Sequence, residues 1–252
     1  MASLRSSWTD PAAVFVGIKG GSAKGNPHAH LDAGTVIMEA FGKRWLSEIP
    51  PPHYGRGDWP YAKRYMNEDR FLFFQARTES HNTLLIDPAS SSGGNQSKWG
   101  NAVISGLFST DDEASCHVDL TSVYPAAISV TRKLKLFNRR SCLQILDEVA
   151  LKTPSTVRWH MYTQAPIVLL SRDGRRVTLK FSGDNDPQHG QRVVLSLNST
   201  EVSQQFIIEP AAPIAESPAI LRDAIGSFTR IAVVVDHTVA SRFMTEFRPF
   251  PE

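Results

Sequence analysis

From residue 101 to residue 235 the chain is a succession of short apolar and β-branched runs, each closed by a turn signal, with almost no helical periodicity. That pattern is the strongest constraint on its fold. The strand-like runs are 101–108, 114–120, 125–137, 141–151, 156–163, 166–171, 175–182, 191–197, 203–209 and 228–235. Between them stand Phe137-Asn-Arg-Arg-Ser141, Lys152-Thr-Pro-Ser155, Arg172-Asp-Gly174 and Gly183-Asp-Asn-Asp-Pro187. Many short strands with turns at intervals of roughly 8–12 residues predict an all-β fold, a two-sheet antiparallel β-sandwich, with a β-barrel as the competing form. A chain of 252 residues buries a core of that kind as a single domain spanning 1–252.

The first hundred residues extend the same reading. Strands are expected at 12–19, 35–41 and 41–49, with a turn at Gly42, and again at 71–77 and 82–87. Pro50-Pro-Pro52 breaks any regular element because proline donates no ladder hydrogen bond. A long loop then runs to about Asp69, carrying His53, Tyr54, Arg56, Asp58, Trp59, Tyr61, Arg64 and Tyr65. Loops of that length inside compact domains usually bind or cover something, and this one has the composition of a substrate rim. Ala89–Lys98 reads as a flexible loop tip, since strand patterning resumes beyond it, and Pro210–Pro218 as proline-rich connection.

Chemistry is concentrated between Lys19 and Gly34, a stretch holding four glycines, His28, His30 and Asp32. On an extended segment His28 and His30 share one face, while Ala29 and Leu31 take the other, so the pair can grip one metal ion or one substrate. His53, His117, His160, His189 and His237 read as turn or strand residues outside the site.

The charge of +2, from 27 Lys and Arg against 25 Asp and Glu, provides no basic field for nucleic acid or anionic membrane. No apolar run reaches the roughly 18 residues a membrane helix needs, and the N-terminus lacks the apolar core of a signal peptide. If Met1 is the native start, a cytoplasmic protein is expected. Cys116 and Cys142 lie in separate strand-like runs and read as buried free thiols, with a single bridge as the alternative.

Taken in order, Arg5-Ser-Ser-Trp-Thr-Asp10, Lys19-Gly-Gly21, His28-Ala-His-Leu-Asp-Ala-Gly34, Gly42-Lys-Arg-Trp45, Tyr54, Arg77-Thr-Glu-Ser-His-Asn-Thr83 and Trp159-His160 resemble the C-terminal β-sandwich of the heparinase II/III-like polysaccharide lyases. The match covers roughly residues 5–165. In that family an N-terminal α/α-toroid precedes the sandwich and supplies most of the catalytic tyrosine and histidine chemistry. This chain begins almost where the family's sandwich begins, so an excised domain or a natural stand-alone protein is expected. The latter places it in the cytoplasm, and the former would make it secreted or periplasmic. The sandwich face that the toroid covers in the family implies a homodimer or a separate partner.

Carried over by position, the resemblance implies a structural metal site of His30, Glu48 and His81, with Asp32 orienting an imidazole. The family usually has aspartate where this chain has Glu48. Two imidazoles and a carboxylate suit Zn²⁺, which binds them at about 2.0–2.2 Å. His28 corresponds to the family's cleft-facing histidine and Tyr54 to a tyrosine of the cleft rim; the pair is the expected catalytic couple. Arg77, Arg56, Trp59, Tyr61 and Tyr65 are the expected substrate-binding residues. The function expected is a lyase-type enzyme that abstracts a proton beside a carbonyl or carboxylate, leading to β-elimination, dehydration, isomerisation or cyclisation. Its substrate would be a small carboxylate- or carbonyl-containing metabolite or a saccharide. The alternative class is a non-catalytic sandwich that binds carbohydrate or a protein.

Overall fold

The computed structural model describes residues 1–51, 70–71, 73–181, 190–198, 204–215 and 225–251. Its strands are β1 (Ala2–Arg5), β2 (Phe15–Ile18), β3 (Val36–Ala40), β4 (Lys43–Leu46), β5 (Leu84–Ile86), β6 (Val103–Ser109), β7 (Ala114–Asp119) and β8 (Ala127–Phe137). They continue with β9 (Cys142–Thr163), β10 (Ile167–Leu170), β11 (Arg176–Lys180), β12 (Arg192–Leu197), β13 (Ile207–Pro210) and β14 (Thr229–Phe250). Two antiparallel sheets form a sandwich, as the strand punctuation predicts. The smaller runs β1-β2-β3-β4, and the larger runs β10-β11-β12-β14-β9-β8-β7-β6, with β13 added to β14 and β5 to β9.

The spine of the larger sheet is the antiparallel pair β9 and β14, each 22 residues long. On its other side β9 pairs with β8 from Cys142 to Leu151, then with β5 from Val157 to Trp159. The predicted break at Lys152–Ser155 is therefore not a turn. Pro154 lies where β9 has left β8 and not yet met β5, a stretch with little ladder for its missing N–H to interrupt. Likewise β14 runs far beyond the predicted 228–235, because it serves β13 with its first half and β12 with its second. The expected strand at 71–77 is also corrected: Phe74–Ala76 and Thr78–Ser80 are 3-10 turns, and their buried side chains come from packing rather than sheet alternation.

Between the sheets Val16, Val36, Met38, Trp45 and Leu46 of the smaller meet Leu134, Ile145, Trp159, Phe243 and Phe247 of the larger in one apolar cluster. Cys116 and Cys142 are free, buried thiols, and burial pushes Cys116 up to about 11. A charged pair lies inside this layer. Arg132 on β8 and Asp147 on β9 face each other across the ladder, both fully buried, joined by Nε–Oδ1 at 2.7 Å and Nη2–Oδ2 at 3.0 Å. The remaining guanidinium nitrogen, Nη1, donates to the carbonyls of Gly34 at 2.6 Å and Asn82 at 2.8 Å.

Truncating Arg132 strands a buried carboxylate and two buried carbonyls, so Arg132→Ala should lose about 3–5 kcal/mol in denaturant unfolding. Replacing the pair together, Arg132→Met with Asp147→Leu, should recover only part of that loss, because the carbonyls of Gly34 and Asn82 still lack their donor. Full recovery in the double variant would refute a role beyond the ion pair.

Candidate metal centre

Three segments meet at one corner: residues 19–35 between β2 and β3, Ser47–Glu48 after β4, and Arg77–Thr83 before β5. Leu31 N–H donates to Ala76 O at 3.0 Å, and Gln96 clamps Ala33 at both its N–H (2.9 Å) and its carbonyl (2.8 Å). Gly34 ends the loop at φ +78°, where a Cβ would meet Leu120 Cδ1 at 2.8 Å. Only glycine satisfies both the dihedral and the contact.

Asn82 is the knot. Its Nδ2 donates to Val36 O (2.8 Å) and Ser47 O (3.1 Å), its Oδ1 accepts from Tyr162 N–H (2.6 Å), and its own N–H donates to Glu48 Oε1 (3.0 Å) and Thr35 Oγ1 (3.1 Å). One side chain thus ties β3 and the end of β4 to β9 of the opposite sheet.

Against this frame the imidazoles of His30 and His81 face each other, His30 Nδ1 to His81 Nε2 at 3.2 Å. Two imidazole nitrogens bound to one tetrahedral zinc lie about 3.3 Å apart, so this separation fits shared ligation. Asp32 completes a cluster in which one ligand atom from each of His30, Asp32 and His81 lies within 4.8 Å of the others. Asp32 Oδ2 also accepts from Lys19 Nζ at 2.7 Å. Glu48 stands behind His81, taking a hydrogen bond from its Nδ1 and another from Thr35 Oγ1. The two acids therefore exchange their expected places: Asp32 joins the facing histidine nitrogens, and Glu48 fixes the tautomer and ring of His81 from behind. Their order in sequence carries no signal of this, since both follow a histidine or tryptophan at short spacing. Burial, then the charge of His81, hold His30 down to about 3, so its imidazole is neutral. Burial pulls His81 the same way, but the Glu48 carboxylate outweighs it and its value is raised.

His28 is exposed, two residues before the half-buried His30. Its N–H donates to Asn26 Oδ1 at 2.9 Å, and Arg70 holds the same loop by donating to the carbonyls of Ala29 and Asn26, both at 2.9 Å. Ala29 and Leu31 on either side of His30 are buried, and the segment is a loop rather than the expected extended strand entrance. Tyr54, Arg56, Trp59, Tyr61 and Tyr65 lie outside the described residues. Arg77 does not reach a substrate here: it is 2% exposed and bound through Nε to Glu79 at 2.9 Å. It belongs to an interior network that sequence reading missed. Glu79 O accepts from Tyr162, Tyr162 accepts from Arg230 at 3.2 Å, and Glu209 receives both Arg230 and Arg158.

The profile of the family described as heparinase II/III-like, C-terminal, matches residues 10–215. A heparan sulfate lyase, HepC from Pedobacter heparinus, superposes with a TM-score of 0.74 at 14% identity, covering 99% of this chain and 35% of that one. A heparinase III gene product superposes at 0.73 with 19% identity, and another heparinase III at 0.69 with 14%, each with the same coverage of 99% and 35%. This chain thus spans about a third of the length of those lyases, and at such identities the likeness speaks for the fold. A search of curated proteins gives no match.

Since Asn82 saturates donors and acceptors on both sheets, Asn82→Asp, which sets a carboxylate oxygen against the carbonyls of Val36 and Ser47, should cost roughly 2–4 kcal/mol. Thermal unfolding measures it. A variant as stable as the parent would show that the knot is not a stabilising element.

Proposed function

Because the chain belongs to the heparinase II/III-like, C-terminal family, we propose that this corner is the sandwich half of a lyase site, with His28 moving the proton and His30, Asp32 and His81 holding a divalent metal. The observation that supports the division of labour is the contrast between two histidines only two residues apart. His30 is turned into the protein against His81 at 3.2 Å, whereas His28 stands exposed on a loop pinned by Arg70. A metal-bound imidazole has its lone pair committed, whereas one that binds no metal keeps it for proton transfer. The donor set of two imidazoles and a carboxylate suits Zn²⁺, which supplies fixed positive charge and a cross-link between segments. His28 takes the proton from the carbon beside a substrate carboxylate, the electron pair forms the carbon–carbon double bond, and the β-oxygen departs with a proton from a second group. Tyr54 is the residue we assign to that second role.

A non-catalytic sandwich is the second reading, and one observation favours it. The cavity beside His30, lined by Lys19, Asp32, Ala33, Gln96 and Ser97 among others, has a volume of about 20 Å³. That admits a single water molecule.

Elemental analysis of protein purified without chelator should find close to one equivalent of metal per chain, and chelation should lower the melting temperature. His30→Ala and His81→Ala should lose the metal, while Glu48→Gln should bind it roughly 10–100-fold more weakly. Substoichiometric metal with unchanged melting after chelation sinks the assignment.

The catalytic reading is separable from the metal. On a panel of uronic-acid oligosaccharides and small β-oxygenated acids, followed by absorbance of the new conjugated double bond, His28→Ala should lose activity by about 10²-fold or more. Its melting temperature and metal content should stay at parental values. Retained activity in His28→Ala rejects this role, and no turnover of any panel member by the parent favours the binding module.

A further inference from the structure

Asp32, the acid beside the facing histidines, already has a cation. Lys19 Nζ lies 2.7 Å from its Oδ2, in a pair whose carboxylate side chain is 12% exposed and whose lysine side chain is 36% exposed. The backbone of Lys19 is fixed. Its N–H donates to Thr35 O at 3.1 Å, its carbonyl accepts from Gly34 N–H at 2.7 Å, and a Cβ on the following Gly20 would lie 2.9 Å from Ala102 O. From that fixed point rises a flexible four-carbon stem, partly in water, so the ammonium can move while the chain beneath it stays. Among the described residues, Asp32 is the one carboxylate that clusters with His30 and His81, and Glu48 is engaged behind His81.

One negative charge does not serve two cations at short range without cost, since like charges a few ångströms apart repel in a partly buried place. The cavity of about 20 Å³ beside the imidazoles is lined by Lys19, His30 and Asp32 together, so an ion seated between the histidines meets the ammonium as well as the acid. The lysine already acts in that sense. Behind burial, which is the largest influence on both rings, Lys19 opposes positive charge on His30 and on His81, and Asp32 favours it. We propose that Lys19 is an exchangeable cation of this corner: its ammonium neutralises Asp32 in the metal-free chain, and a divalent metal binds by taking the carboxylate and releasing the ammonium to solvent. This rests on the metal half of the reading above and adds to it a residue that sets the metal's affinity. Ammonium and metal are alternative ties on Asp32, so the loop after β2 is held in either state.

The test is isothermal titration of the chelator-treated full chain with Zn²⁺, for the parent, Lys19→Met and Lys19→Arg. Methionine keeps a long stem without the charge, so Lys19→Met should bind about tenfold more tightly or better. Lys19→Arg keeps a cation on Asp32 and should stay within about threefold of the parent. Without metal Lys19→Met should melt below the parent, and saturating Zn²⁺ should raise its melting temperature by more than it raises the parent's. The ammonium itself is read by acylation with an amine-selective ester, mapped by peptide mass spectrometry. Metal should speed labelling of Lys19 by about threefold or more and leave the exposed Lys133 and Lys135 unchanged. Equal or weaker binding in Lys19→Met, equal tightening in Lys19→Arg, a melting gain no larger than the parent's, or labelling of Lys19 indifferent to metal each overturns the exchange and leaves the metal assignment standing. No metal in either the parent or Lys19→Met overturns both, whereas metal in Lys19→Met alone removes the resident metal and keeps the exchange.

Discussion

Arg132 is the interaction on which the rest of the molecule hangs. A guanidinium has donors to share, and inside an apolar layer every one must be met. Two go to Asp147 across the β8–β9 ladder, and Nη1 reaches the carbonyls of Gly34 and Asn82. Those two residues close the segments that carry His30 and His81. The pairing inside the large sheet therefore fixes the backbone on which the candidate centre stands, and a purely hydrophobic pair at these positions would leave that backbone without its anchor.

From that anchor the centre is built in layers of decreasing burial. Asn82 and Thr83 are fully buried, His81 is nearly so, His30 is half-buried, and His28 is exposed. Hydrogen-bonded backbone lies deepest and the solvent-facing histidine outermost. Glu48 and Asp32 differ by the same logic. The glutamate is immobilised by three donors, from Thr35, Asn82 and His81, whereas the aspartate's side chain is held, among the described residues, by a half-exposed lysine.

Much of this was legible in the sequence, and the exceptions have physical causes. Alternation and turn chemistry gave β6, β7, β8, β11 and β12 within a few residues. Pro154 misled because a proline is neutral wherever the neighbouring ladder has a gap, and a gap is a property of three strands at once. The segment at 71–77 misled because a run of phenylalanines is apolar for burial under a loop as well as for a strand. His28 and His30 stood out by spacing and residue type, and His81 through the resemblance alone. Asp32 beside the facing histidines and Asn82 as the knot could not, since they depend on contacts between residues 34 to 80 positions apart, and the burial of Arg77 follows from packing that its near neighbour Glu79 does not announce.

The long spine sets an order on how the molecule comes into being. Thr229 pairs with Thr163 and Phe247 with Leu143, so β9 waits for a partner synthesised well after it. The segments of the histidine corner, all before residue 84, are synthesised before either of these strands. Yet their backbone is anchored by Arg132 and Tyr162. Contacts of such sequence separation make folding slow, because loop closure is required before the contacts reward it. The histidine corner is thus made before the strands that anchor it and assembled after them, and in the interval the nascent chain carries its buried polar groups unpaired and its strand edges open.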